Sequence, residues 1–161
     1  MDLAQAARVV TDIETELLAA YPTLARRLAL VLRDASEAED VAQAAFVRAL
    51  EHRNRFSGGD ARAWLYTIGL RLAFNELRRR KRTAAWTPHD EPSWAMQTDP
   101  DLWLALGHLE PRQRAALLLS VLEGYTHPEI GRILGVPAGT VSSWLSRTKE
   151  QLRRQLGDDQ P

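Results

Sequence analysis

The fold class is decided by residues 126–152, which read THPEIGRILGVPAGTVSSWLSRTKEQL. Thr126 and Glu129 have the spacing of a capping box, in which each side chain accepts a hydrogen bond from the other residue's backbone N–H, so a short helix is predicted to begin there. Gly135 is expected to end that helix, and a longer helix is predicted from about Ala138. A short helix, a glycine turn and a longer helix make a helix-turn-helix unit, whose second helix enters the major groove of DNA.

The longer helix has an apolar side and a polar side. At helical spacing the apolar stripe, which is predicted to pack inward, consists of Val141, Leu145, Thr148, Leu152 and Leu156. Other positions carry groups that can bond to bases or phosphates, and the candidate DNA contacts are Thr140, Ser142, Ser143, Ser146, Arg147, Lys149 and Arg153. Arg147 is the strongest single candidate because its planar guanidinium group can pair with guanine or bind a phosphate. The alternative is that Arg147 only pairs with Glu150 or another acidic side chain at the surface.

The rest of the chain also reads as helices, and strand signals are absent. We therefore predict an all-α fold of two small helical domains, at residues 1–82 and 100–161, of which the second is the helix-turn-helix domain. The intervening residues 83–99 hold prolines, acidic residues and no basic residue, and are predicted to be an acidic linker.

Local signals predict where the helices of the first domain begin and end. Pro22 suits the first turn of a new helix. Ser36 and Glu39 have capping-box spacing for a helix that reaches about Arg53. Asp60 is predicted to cap a further helix that runs through a basic segment to Arg82.

Charge is balanced over the 161 residues but is uneven along them, with 21 basic and 21 acidic side chains in total. Residues 53–82 carry 9 basic and 2 acidic side chains, and residues 111–156 carry 7 and 3, whereas residues 1–52 carry 5 and 9 and residues 83–110 carry 0 and 5. Two basic blocks separated by an acidic one predict two surfaces for a polyanion such as nucleic acid.

Composition excludes several classes of protein. Absence of cysteine removes disulfides, thiolate metal sites and thiol nucleophiles, and is compatible with a reducing cytoplasm. The longest apolar runs are too short to cross a bilayer, and acidic residues stand where a signal peptide would be apolar, so a cytoplasmic location is expected. The histidines, at 52, 89, 108 and 127, lack metal-ligand spacing, and no phosphate-binding loop is present. We expect no enzymatic activity, no metal or other cofactor, and no small-molecule substrate.

The helix over residues 36–53 is predicted to bury one face and offer the other to a protein. Its inward stripe is filled by Ala38, Val41, Ala42, Ala45 and Ala49, while Asp40, Gln43, Val47, Leu50 and Glu51 face outward. Exposed aliphatic side chains framed by polar groups suit a docking surface. Glu39 is interpreted as a capping residue.

The next helix joins aromatic side chains to a basic run, which suits a surface that stacks unpaired bases and holds phosphates. Phe56 and Tyr66 are the more open candidates for stacking, whereas Trp64 and Phe74 are expected in the core. Gly69 lies within this helix, and close packing of a neighbouring helix is its expected reason.

The chain resembles the extracytoplasmic-function group of bacterial RNA polymerase sigma factors over nearly all of residues 13–156. The first half of the resemblance is carried by AEDVAQAAFVRAL at residues 38–50 and DARAWLYTI at residues 60–68. The second half is carried by LEPRQR at 109–114, GYTHPEI at 124–130 and GTVSS at 139–143. Two motif sets in the family's order are far more specific than either alone.

The resemblance implies a sigma factor that binds core RNA polymerase, recognises and melts promoter DNA, and is inhibited by a separate anti-sigma protein. It implies that Asp40, Gln43 and Phe46, with Val47 and Leu50, engage the clamp of the polymerase's largest subunit. It assigns the minus-ten element to Phe56, Asp60, Trp64, Tyr66, Arg71, Asn75, Arg78 and Arg79, and the minus-thirty-five element to the candidate DNA contacts of the last helix. The linker is implied to thread toward the RNA exit path.

The sequence departs from the family pattern at Ala44, Arg71, Ser142 and Trp144. In the family, the corresponding residues are commonly an acidic residue, an asparagine, a basic residue and an arginine, in that order.

Two other functions stay open. One is a helix-turn-helix regulator that works without polymerase, and the other is a nucleic-acid-processing enzyme, for which no carboxylate or histidine cluster is found.

Overall fold

The computed structural model describes residues 2–83 and 99–157, and within them the regular structure is helical, which confirms the all-α prediction. The helices are α1 (Leu3–Leu32), α2 (Ala35–Glu51), α3 (Ala61–Arg82), α4 (Pro100–Gly107), α5 (Pro111–Val121), α6 (His127–Leu134) and α7 (Ala138–Gly157), with a 3₁₀ turn at Arg53–Arg55. The chain divides into two compact units, Met1–Arg82 and Thr83–Pro161. Most of the predicted linker lies outside the described residues.

The first unit is built from α1, α2 and α3, each of which packs against the other two. Its core is made by Leu17, Leu24, Leu28 and Leu32 of α1, the predicted inward stripe of α2, and Leu65 and Ala73 of α3. Gly69 lets α3 approach α1 closely, because a Cβ at this position would lie 2.9 Å from Leu24 Cδ1. The prediction of close helix packing at Gly69 is confirmed.

Pro22 does not begin a new helix, as the sequence suggested, but lies inside α1. A proline in a helix removes the hydrogen bond to the carbonyl four residues earlier, here that of Leu18. Both residues are on the exposed side of α1, where water can satisfy the carbonyl, and Leu18 is 64% exposed. Because Leu17 and Leu24 are fully buried on either side of the proline, packing keeps the helix continuous.

The predicted capping box of Ser36 and Glu39 is wrong, because α2 begins at Ala35 and is capped by Asp34. Asp34 Oδ1 accepts a hydrogen bond of 3.0 Å from the backbone N–H of Glu37. The buried Asp34 carboxylate also lies 3.8 Å from the guanidinium of Arg80, at the end of α3. This long-range pairing selects Asp34 over Ser36, and it leaves the Glu39 side chain available for another role.

The second unit contains the predicted helix-turn-helix, formed by α6 and α7. The capping box is present: Thr126 N–H donates to Glu129 Oε2 at 2.7 Å, and Glu129 N–H donates to Thr126 Oγ1 at 3.4 Å. Gly135 ends α6 with φ of +70°, a conformation that favours glycine. At Gly131 a Cβ would meet the Val136 carbonyl oxygen at 2.6 Å, so the turn folds directly against the helix that precedes it.

Helices α4 and α5 both pack against α7, and α5 also packs against α6. The Arg114 side chain is 4% exposed, and its guanidinium donates to the carbonyls of Leu106 at 3.1 Å and Leu109 at 3.2 Å. These bonds join α5 to the end of α4. Helix α5 ends at Val121.

Candidate docking and nucleic-acid surfaces

The outward face of α2 is the candidate docking surface. Its five predicted inward residues are the five buried residues of the helix. Of the predicted docking residues, Asp40, Gln43 and Val47 are exposed, and Phe46 and Leu50 are half-buried. Val47 is 52% exposed, which leaves an aliphatic group in water at the centre of this face.

Tyr21 of α1 lies against this face, which the sequence analysis did not anticipate. Its hydroxyl donates a hydrogen bond of 2.5 Å to Glu39 Oε1. Its ring meets the Phe46 ring edge-on, with 5.6 Å between the ring centres. Burial, together with the hydrogen bond and the charge of Glu39, raises the pKa of Tyr21 to about 12, so the phenol stays a hydrogen-bond donor at neutral pH. Helical spacing could not show this contact, because Tyr21 and the residues of α2 that it meets lie in different helices.

An aromatic pair marks the start of α3. The rings of Phe56 and Trp64 lie 5.5 Å apart at an angle of 38°, and both side chains are half-buried. The chain between them turns at Gly58 and Gly59, with φ of +97° and +93°. Asp60 caps α3 as predicted, accepting from the backbone N–H of Ala63 at 3.0 Å. The open pair is therefore Phe56 with Trp64, the latter of which was expected in the core.

Tyr66 requires a correction, because it was predicted to face DNA. Its side chain is 1% exposed and is among the largest fully buried side chains of the described residues. Helix α3 is apolar around much of its circumference, so periodicity alone could not tell which aromatic residue faces inward. The guanidinium of Arg62 lies over the Tyr66 ring, 5.8 Å from its centre. Tyr66 is a core residue and is left out of the DNA surface proposed below.

A polar stripe continues along α3 from the aromatic pair. Trp64, Arg71, Asn75 and Arg78 follow the i, i+7, i+11 and i+14 spacing of one helix face. The last three are exposed. Arg78 donates to the side-chain oxygen of Asn75, and exposed Arg79 pairs with Glu76, which raises the pKa of Arg79 above its usual value.

The basic run at the end of α3 is interrupted by Arg80, which points into the unit and is 6% exposed. Its guanidinium pairs with Glu37 and Asp34, and donates to the Leu32 carbonyl at 3.4 Å. The basic surface therefore consists of side chains on either side of Arg80.

Helix α7 presents the predicted polar side to solvent. Ser142, Ser143, Ser146, Arg147, Lys149 and Arg153 are exposed, and Thr140 is half-buried. Val141, Leu145 and Thr148 of the inward stripe are buried, whereas Leu152 is half-buried and Leu156 is 38% exposed. The apolar stripe is thus confirmed over the first part of the helix.

Arg147 does not form the surface pair with Glu150 that was its alternative role. Its guanidinium donates to Ser143 Oγ at 3.2 Å and to the Ser143 carbonyl at 3.5 Å. Glu150 instead pairs with Arg153 at 3.4 Å and Arg154 at 3.2 Å. These two bonds therefore hold the Arg147 guanidinium along α7, toward the N-terminal end of the helix.

Within residues 2–83 and 99–157, no group of three or more histidine, aspartate or glutamate side chains is placed to hold a metal ion. In the same part of the chain, no helix is both long enough and apolar enough to span a membrane.

Two protein-family models match the chain, and each corresponds to one of the two units. Sigma-70 region 2 matches residues 17–83, and Sigma-70 region 4 matches residues 101–152. The chain is 33% identical over 133 residues to the ECF RNA polymerase sigma factor SigE of Mycolicibacterium smegmatis, covering 74% of this chain and 52% of that protein. It is 31% identical over 141 residues to the RNA polymerase sigma factor CarQ of Myxococcus xanthus, covering 81% of each.

A solved structure shows the same likeness. The sigma factor RpoE from Bartonella quintana, in complex with the anti-sigma factor NepR, matches with a TM-score of 0.80 and 26% identity, over 92% of this chain and 99% of that one. The matches to both sigma regions and to the full length of a sigma factor agree with the motifs found in the sequence. The chain belongs to the extracytoplasmic-function group of bacterial RNA polymerase sigma factors.

Proposed function

We propose that this sigma factor docks on core RNA polymerase through the outward face of α2, engages the minus-ten element through α3, and reads the minus-thirty-five element through α7. The observation that carries the proposal is the partition of exposed groups. An acidic and aliphatic surface and a basic and aromatic surface occur on neighbouring helices of one unit, while the other unit presents a helix-turn-helix. A sigma factor needs a surface for the polymerase, a surface for the melted DNA and a helix-turn-helix for the upstream promoter element.

The α2 face is suited to a protein partner rather than to DNA. Exposed Asp40 and Gln43 lie beside Val47 on this face, and the exposed carboxylates of Glu39 and Asp40 would repel phosphate. Association that covers Val47 and Leu50 removes apolar area from water, which favours binding. The proposed docking residues are Asp40, Gln43, Phe46, Val47 and Leu50.

The α3 face is suited to a DNA strand that has lost its pairing. Phe56 and Trp64 offer half-exposed ring surfaces on which an unpaired base can stack, and such stacking contributes about 1–3 kcal/mol per base. Arg71 and Arg78 lie along the same face and can hold the phosphates of the displaced strand. Capture of unpaired bases would favour the melted state of the minus-ten element. The proposed residues are Phe56, Asp60, Trp64, Arg71, Asn75, Arg78 and Arg79, with Asp60 acting through the cap of α3.

The α7 face is suited to the major groove. The serine hydroxyls and the Arg147 guanidinium of this face are exposed in the first half of α7, the part with which helix-turn-helix proteins contact base edges. Lys149 and Arg153 lie farther along and can contact phosphates. Thr140, Ser142, Ser143, Ser146, Arg147, Lys149 and Arg153 are proposed to form the minus-thirty-five surface.

We further propose that the chain has no chemistry of its own, because the polymerase makes the RNA, and that it acts in the cytoplasm, where the transcription machinery is found. A separate anti-sigma protein is proposed as its inhibitor. The similar RpoE was solved with the anti-sigma factor NepR, and this supports regulation by a partner of that kind.

Transcription in vitro with purified core polymerase on a genomic promoter library tests the proposed function. We expect transcripts from a defined set of promoters that depend on the added protein. Specific DNA binding without any polymerase-dependent transcript would favour the alternative, a helix-turn-helix regulator that works alone.

A further inference from the structure

Glu39 lies on the docking face and not at the cap of α2. Glu39, Gln43, Phe46 and Leu50 follow the i, i+4, i+7 and i+11 spacing of one helix stripe, and three of them are proposed docking residues. Asp34 supplies the cap that the sequence had assigned to Glu39. The exposed carboxylate of Glu39 therefore lies at the N-terminal end of the docking face and does not cap the helix.

Tyr21 contacts this stripe at two of its members. Its hydroxyl donates to Glu39 Oε1 at 2.5 Å, and its ring lies edge-on to Phe46. A glutamate side chain free in water samples many rotamers, and ordering it on binding costs free energy. Tyr21 reduces that cost by holding the carboxylate in place before the partner arrives.

We infer that Glu39 is a further polymerase-binding residue that receives a cationic side chain of the core enzyme, and that Tyr21 is the positioning residue that orients it. This inference rests on the proposed docking function of α2. Residues 1–52, which include Glu39, carry 9 acidic and 5 basic side chains, so this part of the chain is negatively charged. A cationic group of the polymerase complements that charge. A carboxylate has two oxygens, so accepting from Tyr21 leaves acceptor capacity for an arginine or lysine of the polymerase.

The test measures the affinity of four full-length variants for core polymerase, with thermal melting of each. Glu39→Gln removes the charge but keeps an oxygen that can accept from Tyr21. Tyr21→Phe removes the hydroxyl but keeps the ring against Phe46. The double variant combines both, and Glu16→Gln is the matched control, because Glu16 is exposed on α1 about 140° around the helix from Tyr21.

We expect Glu39→Gln to weaken binding about three- to tenfold and to reduce its salt dependence, as loss of one charge pair should. Tyr21→Phe should weaken binding about two- to fivefold. It should have a clearly smaller effect when Glu39 is already glutamine, because Tyr21 acts through that carboxylate. A purely structural role for Tyr21 would lower the melting temperature and weaken binding equally in both backgrounds, which would contradict the inference.

Failure of this inference is distinguishable from failure of the docking proposal. Gln43→Ala is measured in the same assay as a variant of the docking face. If Glu39→Gln and Tyr21→Phe both bind like Glu16→Gln while Gln43→Ala weakens binding, Glu39 is no contact and the inference is overturned, but α2 still docks. If the wild-type protein itself does not bind core polymerase, both fail.

Discussion

The Cβ that Gly131 lacks would lie 2.6 Å from the carbonyl oxygen of Val136 and 3.4 Å from the backbone nitrogen of Ala138. Val136 lies in the turn that joins α6 to α7, and Ala138 is the first residue of α7. Both atoms are backbone atoms, so neither can rotate away as a side chain would. The backbone hydrogen bond from Val136 N–H to the Gly131 carbonyl, at 2.9 Å, holds the same contact. The angle between the two helices of the helix-turn-helix therefore depends on this glycine.

Gly131→Ala is expected to destabilise the second unit by about 2 kcal/mol or more, because the turn must move away from α6. Gly139→Ala is the matched control. A Cβ at Gly139 meets nothing within 4 Å, and alanine is the better helix former, so this change should be neutral or slightly stabilising. Urea unfolding of both variants checks the prediction, and equal stability of the two would contradict it.

Arg80→Met is expected to cost about 3 kcal/mol of unfolding free energy, although the residue belongs to a run of exposed basic side chains. Removing the guanidinium leaves the Asp34 carboxylate, 5% exposed, without its cationic partner. Arg79→Met, at an exposed neighbour, should change stability little. Denaturant unfolding followed by circular dichroism compares them, and a stable Arg80→Met protein would show that the buried pair is not needed for the fold.

Periodicity predicted the inward stripe of α2 because apolar residues there fill one face and polar residues fill the other. The same reasoning failed in α3, where apolar residues surround the helix, and so Tyr66 was placed outside and Trp64 inside. Arg80 could not be separated from its neighbours because its partner, Asp34, comes from a distant segment of the chain. Tyr21 was missed for the same reason, since its role depends on packing between α1 and α2.

Gln43→Ala combined with Val47→Asp is expected to weaken association with core polymerase by at least about tenfold while the isolated protein stays folded. Both side chains are exposed, so neither change disturbs the core. Pull-down with core polymerase and thermal melting are measured on the same preparations. Unchanged association, or loss of the fold, would remove this face as a docking surface.

Arg147→Ala tests base reading by α7. A bidentate base contact contributes about 1–3 kcal/mol of discrimination at one base position. Loss of a phosphate contact weakens binding to all promoters and lowers the slope of log affinity against log salt concentration by about one. We expect the variant holoenzyme to lose discrimination at a single position of the minus-thirty-five element. Transcription is measured on promoters mutated one base at a time, at several salt concentrations, and a uniform decrease would identify Arg147 as a phosphate contact only.

The most direct test of the central claim compares the affinity of the protein for promoter DNA with and without core polymerase at physiological salt. The isolated protein has no net formal charge, and its basic surfaces are opposed by acidic segments, so we expect about micromolar binding or weaker. With core polymerase, binding of the same promoter should tighten to about 10 nM or below. Nanomolar, sequence-specific binding by the isolated protein, unchanged when polymerase is added, would contradict the account.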